Sequence, residues 1–228
     1  MRRTALLVIA VLALAGCSGS DEKDTPEQTP EQVLAQAKQV LDDTSGVRFS
    51  ITSEDVPEGQ TALTGAEGVL THAPAFEGKI TVRILGAEPE VPIVAVDGHV
   101  YAQLPFTTSW QDIDPADYGA PDPAALMDPD HGLSTLLTAT TEASLGDTVR
   151  GGADNDELLT TYAGTLAATD AAVLVPTVTG DVAVSYTLTD DHELREAVLK
   201  GDFYGTGEEE TYTVTVSDYG TEKEITKP

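Results

Sequence analysis

The residue types that most often perform chemistry are present in this 228-residue chain, but they are scattered. A zinc site needs three or four His, Cys or carboxylate ligands at short spacings, and a serine hydrolase typically holds its nucleophile in a G-x-S-x-G turn. Neither pattern occurs: the single cysteine stands alone, and Ser134 lies in an ordinary helical run. We therefore expect no metal site, no cofactor and no enzymatic activity. The isolated histidines are His72, His99, His131 and His192.

Carboxylates are the one abundant reactive group: the chain has 39 Asp and Glu and only 12 Lys and Arg, for a net charge of −27. Phosphate backbones repel such a polyanion, so we expect no nucleic-acid partner. A pair of carboxylates could support glycoside hydrolysis, yet in so acidic a chain any one pair is uninformative. Asp128, Asp130 and residues 154–157 lack the spacing of a calcium loop and are expected to be solvated.

The position of the single cysteine indicates its use. A short cationic start is followed by residues 4–15, an apolar segment too short to span a bilayer of ~30 Å, which is typical of a signal peptide. The segment ends on Leu-Ala-Gly before Cys17, a pattern that resembles the bacterial lipobox. We predict a lipoprotein signal peptide over residues 1–16 and a lipidated Cys17. The mature chain then has a flexible tether over residues 17–29 and a folded domain over residues 30–228.

A lipid on Cys17 would also set the location of the protein. Each buried methylene contributes ~0.8 kcal/mol, so two long acyl chains hold a protein stably on a membrane where one chain does not. We therefore expect the protein on the extracytoplasmic side of the cell membrane, in the cell envelope. The alternative is a secreted protein with an ordinary cleavage site and an unused thiol.

The folded domain begins with a helical pattern. Thr29 and Gln32 have the spacing of a capping box around Pro30, and proline is favoured at the first helical position. Apolar residues follow at intervals of three and four, which predicts an amphipathic helix that ends near residue 44.

From Val47 onward apolar and polar residues alternate, which is typical of half-buried strands. A large antiparallel sheet with a few helices over its apolar face is an α+β domain. The region between residues 105 and 150 is expected to hold loops and short helices. The predicted helices cover 130–142 and 169–175. The predicted strands cover 47–53, 61–71, 77–85, 91–96, 99–104, 157–166, 181–189, 193–200 and 210–218.

The dipeptide Asp97-Gly98 is the sharpest local signal, since Asp-Gly between two β-rich runs favours a type I′ hairpin. Pairing across this turn places Val94 opposite Tyr101 on one face and an entirely apolar set on the other face. The apolar face should be buried. Its members are Val91, Ile93, Ala95, Val100, Ala102 and Leu104, and the preceding strand adds Ile80, Val82 and Ile84.

The inward positions hold mostly medium and small side chains, and the chain has only four Phe and one Trp with which to fill a wide sheet. A curved sheet that its helices fill incompletely leaves an apolar cavity of the kind that holds acyl chains. The alternative, which composition alone favours slightly, is that the helices fill this space as an ordinary core. Amphipathic rings suit the rim of a cavity, so Tyr101, Trp110 and Tyr118 are rim candidates.

Four stretches of the sequence resemble the LppX/LprAFG family of actinobacterial lipoproteins, and most of all its LprG-type members. They are THAPAFEGKITV (71–82), VPIVAVDGHVYAQLPFTT (91–108), IDPADYGAPDPAALMDPDHGLSTLLT (113–138) and VSDYGTEKEITKP (216–228). Together they extend over the domain that follows the tether, and the D-P-x-x-L-M-D-P-D-x-G-L pattern of residues 122–133 is the most specific part.

The resemblance implies one domain: a strongly bent antiparallel half-barrel, similar to the LolA/LolB carriers, with helices on its concave face enclosing an apolar cavity. It implies a non-catalytic protein that binds acylated lipids or glycolipids and helps to move them from the plasma membrane to the outer cell envelope. A major-facilitator efflux transporter is an implied partner.

On this hypothesis the cavity is lined by eight of the inward strand residues and, from the covering helix, by Leu133, Leu136 and Leu137. The eight strand residues are Ile80, Val82, Ile84, Ile93, Ala95, Val100, Ala102 and Leu104. The competing hypothesis is a structural or protein-interaction lipoprotein with a filled core and no ligand. An envelope hydrolase is a more distant third.

Overall fold

The computed structural model describes residues 28–84, 86–118, 120–152 and 155–228, and it is dominated by one antiparallel sheet of eleven strands. The strands are β1 (Gly46–Glu54), β2 (Ala62–Thr71), β3 (Ala75–Arg83), β4 (Glu90–Val96), β5 (His99–Ala102), β6 (Gln111–Ile113), β7 (Thr141–Gly151), β8 (Glu157–Leu166), β9 (Thr179–Thr189), β10 (Leu194–Asp202) and β11 (Glu210–Ser217). Their order is β6-β5-β4-β3-β2-β1-β11-β10-β9-β8-β7. Within the described residues β6 and β7 are the two edges, so the sheet is an open half-barrel, as predicted.

The capping box predicted at Thr29 is confirmed, and it begins helix α1 (Pro30–Asp43). The Thr29 amide donates to the Gln32 side-chain oxygen at 3.0 Å, and the Gln32 amide donates to the Thr29 hydroxyl at 3.4 Å. These bonds satisfy amides that have no partner inside the helix. The buried side of α1 packs into the concave side of the sheet through Val33, Leu34, Ala37 and Leu41.

Short helical segments complete the layer over the concave face. They are the 3₁₀ helix Pro123–Met127, α2 (Thr135–Ala139) and α3 (Ala168–Ala171), and each contributes buried residues. A second 3₁₀ helix, Pro115–Tyr118, contributes none. The 3₁₀ helix Pro123–Met127 is capped by Asp122, whose carboxylate accepts from the Ala124 amide at 2.9 Å.

Two helix predictions were wrong in extent. The helix expected over 130–142 is only α2, because the Asp128 carboxylate accepts from the amides of Asp130 and His131, at 2.8 and 2.9 Å, and holds them in a turn. Side chains that bond nearby amides in this way compete with helix formation. The helix expected over 169–175 is reduced to α3 followed by turns.

The hairpin predicted at Asp97-Gly98 is confirmed. Both residues have positive φ, 55° and 74°, as a type I′ turn requires. Val94 pairs with Tyr101 and Ala95 with Val100, so the predicted register is correct.

The opposite face of this hairpin is also covered, which the sequence pattern did not predict. The outer cluster consists of Ala75, Val94, Val96, Tyr101 and Ile225, with Trp110 packed against it. Lys223 of the C-terminal tail pairs with Glu77 at 3.0 Å, and the ammonium of Lys227 lies 5.0 Å from the centre of the Tyr101 ring. The tail therefore crosses the convex face at β3–β5 and shields this part of it from water.

The sequence pattern missed β6 and β7, which fall where loops were expected. Three residues are too few for β6 to show an alternation. β7 is an edge strand whose pairing with β8 has two register shifts, and most of its residues are exposed. Its sequence therefore shows no regular alternation of apolar and polar residues. Bulges of this kind are common in edge strands, where they hinder pairing with other chains.

No helix in the described part of the chain combines the length and the apolar character needed to cross a bilayer. The predicted signal peptide, Cys17 and nearly all of the predicted tether lie outside the described residues.

Candidate functional site

The concave side of the half-barrel holds one apolar cluster that draws on both halves of the sheet and on all three α-helices. It includes the inward face of the hairpin, as the alternation of side chains along β4 and β5 predicts. It also includes the apolar residues before and within α2. The predicted lining residues in its buried part are Ile93, Ala95, Val100, Ala102, Leu133, Leu136 and Leu137, and Val91 joins them.

The other predicted strand residues are less covered. Ile80 and Leu104 pack against the cluster while only partly buried, and Val82 is also partly buried. Ile84 is 41% exposed, so it lies outside the interior. Leu63 and Ala66 of β2 are direct partners of Val82 and Ile80, respectively. We call Leu63, Ala66, Ile80, Val82 and Leu104 the half-buried patch.

Sequence reasoning missed Leu63 and Ala66. Their signal lies in the pairing of β2 with β3, which has a register shift between Leu63 and Gly65. A one-residue shift exchanges the two faces of a strand, so simple alternation along β2 misassigns one side of the bulge.

The half-barrel has two ends that differ in their connections. At the end where β1 begins, strands are joined by tight turns, and we call it the turn end. At the end where β1 finishes, the connections are longer, and we call it the loop end. The turn-end connections include 72–74, 97–98 and 190–193, and the loop-end connections include 55–61, 103–110, 203–209 and the β3–β4 link. The half-buried patch lies toward the loop end.

The inward residues of β1, β9, β10 and β11 form what we call the closed wall, where every apolar side chain is at most 3% exposed. Tyr186 ties this wall to the helical layer. Its hydroxyl lies 3.0 Å from the Leu136 carbonyl oxygen and 2.9 Å from the Thr140 hydroxyl, at the end of α2. Burial raises the pKa of Tyr186, so the phenol remains protonated and can donate.

A lysine connects the two longest parts of the helical layer. The Lys38 ammonium on α1 bonds the Asp42 carboxylate at 2.7 Å, the Ser134 hydroxyl at 3.1 Å and the Pro129 carbonyl at 2.5 Å. Ser134 immediately precedes α2, so one side chain fastens the 123–139 segment to α1. Lys38 therefore holds the middle of this segment, and Tyr186 holds its C-terminal end.

The closed wall contains one buried acid. Glu210 is 0% exposed, and its Oε2 accepts from the Phe203 amide at 2.8 Å. Its Oε1 has no hydrogen-bond partner among the described residues. Desolvation raises the pKa of Glu210, and the nearby charges of Asp202 and Glu208 raise it further. The carboxyl is thus a local defect in an otherwise apolar wall.

A polar seam separates the closed wall from the half-buried patch. The hydroxyl of Tyr212 on β11 bonds that of Tyr204 and donates to the Leu63 carbonyl oxygen at 3.4 Å. Burial raises the pKa of both phenols. Tyr212 belongs to the closed wall, whereas Tyr204 is only half-buried at the loop end.

The proposed rim residues do not surround the interior. Tyr101 and Trp110 belong to the outer cluster on the convex face, because pairing opposite Val94 directs Tyr101 away from the interior. The rim prediction for these two residues was therefore wrong. Tyr118 is 57% exposed on the Pro115–Tyr118 turn.

The clefts on the described surface include two that no closed-wall residue lines. One, of about 330 Å³, lies between the C-terminal tail and the turn end, and the other, of about 660 Å³, lies along the β6 edge. The buried residues of the inner cluster are covered by neighbouring side chains and by the helical layer. An acyl chain that reached these buried residues would have to displace part of the covering layer.

The structure of LprF from Mycobacterium bovis matches this fold with a TM-score of 0.71 at 15% identity, covering 87% of this chain and 96% of that one. LppX from Mycobacterium tuberculosis matches with a TM-score of 0.61 at 15% identity, covering 87% and 100%. The model of the LppX_LprAFG lipoprotein family matches residues 29–226. This chain belongs to that family.

Relatives within the LppX_LprAFG family match the chain along its length. A protein from Mycolicibacterium hassiacum named lipoarabinomannan carrier protein LprG is 32% identical over 240 residues, which cover 100% of this chain and 98% of that protein. The protein of the same name from Mycobacterium tuberculosis strain H37Rv is 27% identical over 241 residues, covering 100% and 95%.

Two of the acids, Asp128 and Glu157, bond neighbouring groups within the fold. The amides of Asp130 and His131 hold the pKa of Asp128 below its usual value, and a hydrogen bond from Arg195 does the same for Glu157. In the described part of the chain no three His, Cys, Asp or Glu side chains gather closely enough to hold a metal ion. Asp154, in the predicted acidic cluster, lies outside the described residues.

Proposed function

We propose that this protein is a non-catalytic lipid carrier that takes up the acyl chains of a lipid or glycolipid in the concave interior of its half-barrel. The observation that carries the proposal is the half-buried patch: an apolar stretch of the inner face that the helical layer does not fully cover. The closed wall shows that this chain can cover an inner face completely. The incomplete cover is therefore local to the patch and supports a place for a ligand.

Acyl chains fit this surface energetically. Moving one methylene out of water contributes ~0.8 kcal/mol, so a chain of about sixteen carbons gains on the order of 10 kcal/mol before ordering costs. The contribution has no direction and does not distinguish lipid classes. The names of the relatives favour a glycolipid such as lipoarabinomannan as the ligand.

Entry requires part of the covering layer to move, and the 123–139 segment is the best candidate. Its 3₁₀ helix, Pro123–Met127, packs on β2, β3 and β4, and β2 and β3 carry four of the five residues of the half-buried patch. Besides its buried apolar residues, only single polar side chains such as Lys38 and Tyr186 are described as bonding the segment to its surroundings. Displacing it would join the patch to the deeper apolar cluster.

Lipidation of Cys17 would hold the carrier on the extracytoplasmic face of the plasma membrane. The predicted tether of about a dozen residues reaches roughly 40 Å when extended at ~3.3 Å per residue. The domain could therefore face either the plasma membrane or the outer envelope. Transfer would then run from the plasma membrane to the outer envelope, with a major-facilitator efflux transporter as the proposed partner. The polyanionic domain would be repelled by anionic lipid surfaces except where a neutral region is presented.

A second candidate function is a structural or protein-interaction lipoprotein, and the closed wall favours it. If the interior never opens, the whole inner face is a filled hydrophobic core, as the closed wall is. The half-buried patch would then be ordinary partial burial.

Mass spectrometry of bound lipid separates the two candidates. The protein would carry Cys17→Ala, so that its own anchor does not contribute lipid, and would be purified without detergent from the producing cell before organic extraction. Carriage predicts acylated lipid at close to one molecule per protein. A protein that is folded by circular dichroism, carries no lipid and acquires none from vesicles would contradict the proposal.

A further inference from the structure

One aromatic side chain of this protein is fully exposed to water. Phe106 lies in the β5–β6 connection at the loop end, and nothing covers its ring. Its backbone has φ +67°, a left-handed conformation that is unfavourable for a bulky side chain. Exposure and backbone strain thus coincide at one residue, a combination that a fold retains when the site has a use.

The loop that carries Phe106 is anchored on both faces of the sheet. Thr107 closes a turn on Leu104: its amide lies 3.0 Å, and its hydroxyl 2.7 Å, from the Leu104 carbonyl oxygen. Leu104 packs against the inner cluster, and Trp110 packs against the outer cluster. Phe106 therefore projects from an ordered turn whose flanking residues, Leu104 and Trp110, are both packed against the sheet.

A second exposed apolar side chain lies at the same end. Ile84 is 41% exposed beyond β3, in the β3–β4 connection. The two connections are neighbours, because β4 pairs with both β3 and β5. Both are locally neutral: residues 102–110 contain no charged side chain, and Arg83 at the base of the β3–β4 connection pairs with Glu88 at 2.8 Å.

We propose that Phe106 and Ile84 form a docking tip that inserts into the neutral surface of a lipid bilayer. The inference rests on the proposed carrier function, since it places the half-buried patch, including Leu104 two residues from Phe106, next to the lipid source. The tip would be the part of a chain of net charge −27 that approaches a membrane most easily.

A bilayer suits this tip better than a protein partner does. Specific protein interfaces bury roughly 800 Å² on each side, whereas one aromatic side chain buries about 150–250 Å². Two projecting apolar side chains on narrow loops resemble an anchor more closely than a binding face. Rings such as that of Phe are also favoured on the apolar side of membrane-bound segments.

Fluorescence quenching tests the insertion directly. In the full-length chain, processed as the cell produces it, Trp110→Phe removes the single tryptophan and Phe106→Trp introduces a reporter. The matched control is Val149→Trp, because Val149 is also exposed, at 55%, but lies on β7 near the turn end. Vesicles of phosphatidylcholine with brominated acyl chains should quench and blue-shift the reporter at position 106 and leave that at position 149 unchanged. Equal spectra for the two reporters would overturn the tip.

Phe106→Gly tests the use of the tip without endangering the fold. Glycine relieves the left-handed strain, so the variant should unfold at higher denaturant concentration than the parent. Combined with Ile84→Ser it should lower the initial rate of lipid uptake from vesicles by about tenfold, because each inserted side chain contributes binding energy. Lipid loaded from detergent should be unchanged, and Val149→Ser should have no effect. An uptake rate equal to that of the parent would overturn the docking tip. If the parent takes up no lipid but the reporter at position 106 is quenched, the carrier function is wrong and the docking tip stands.

Discussion

Ile51 and Ile80 lie in the same row of the sheet, two strands apart, with Ala66 between them as the direct partner of both. Both side chains point into the half-barrel. Ile51 belongs to the closed wall and is 3% exposed, whereas Ile80 is only partly buried. The same residue type on the same surface thus experiences two environments, and the boundary between them is less than two strands wide.

The difference follows from what covers each region. The closed wall shares one buried apolar cluster with α1, α2 and α3, and Tyr186 bonds α2 directly. The helical element that contacts the strands of the half-buried patch most extensively is the five-residue 3₁₀ helix Pro123–Met127. We infer that the closed wall stabilises the fold and that the patch can yield to a ligand, so stability and binding are divided between the two halves of one sheet.

The largest expected effect compares leucine deletions in the two regions. Leu199→Ala in the closed wall should lower the free energy of unfolding by about 2–5 kcal/mol, because a packed site cannot collapse around the lost methyl groups. Leu63→Ala in the half-buried patch should cost less than about 1.5 kcal/mol, since its site is already open on one side. Urea unfolding of both variants measures the difference. Equal losses would remove the distinction between the regions.

A smaller effect of opposite sign is expected at Glu210. Its pKa is raised in the folded state, so folding favours the protonated acid, and stability falls as pH rises from about 4.3 through the raised pKa. Glu210→Gln removes this ionisation while keeping an oxygen for the Phe203 amide. The variant should match the parent near pH 4 and exceed its unfolding free energy by about 1–2 kcal/mol at pH 7. Unfolding curves at several pH values test this, and a variant less stable than the parent at pH 7 would show that the carboxylate is favourably solvated.

The smallest effect concerns the bond between the closed wall and α2. Tyr186→Phe removes one buried hydroxyl and should cost about 1 kcal/mol, because Thr140 can still donate to the Leu136 carbonyl oxygen. Hydrogen exchange should accelerate in residues 135–139 and stay unchanged in β1. Uniform acceleration would mean that the covering layer and the wall open together.

Local chemistry made part of this arrangement predictable. The capping box at Thr29 and the type I′ turn at Asp97-Gly98 depend on a few adjacent residues, and both are confirmed. Parity then assigned the inward face of the β4–β5 hairpin correctly. The family resemblance supplied the half-barrel, which periodicity alone described only as a large antiparallel sheet.

What the sequence could not predict depends on distant contacts. The burial of Val94 and Tyr101 on the convex face results from Ile225 in the C-terminal tail, more than a hundred residues away. The boundary between the closed wall and the patch depends on which helices lie above each strand. The bulge at Leu63 hid β2's contribution to the patch, because an irregular register interrupts the alternation from which a face is inferred.

Matched tryptophan substitutions in one row test the division of the inner face most directly. Ile51→Trp should overpack the closed wall, lowering the unfolding free energy by about 1–3 kcal/mol and the melting temperature with it. Ile80→Trp should fill the opening at the half-buried patch, leaving the melting temperature nearly unchanged while the lipid recovered with the protein falls sharply. Melting curves and extracted lipid for the two variants, measured side by side, decide the question. Equal destabilisation of both variants, with Ile80→Trp retaining the parent's lipid content, would contradict the division of this sheet into a wall that folds and a patch that binds.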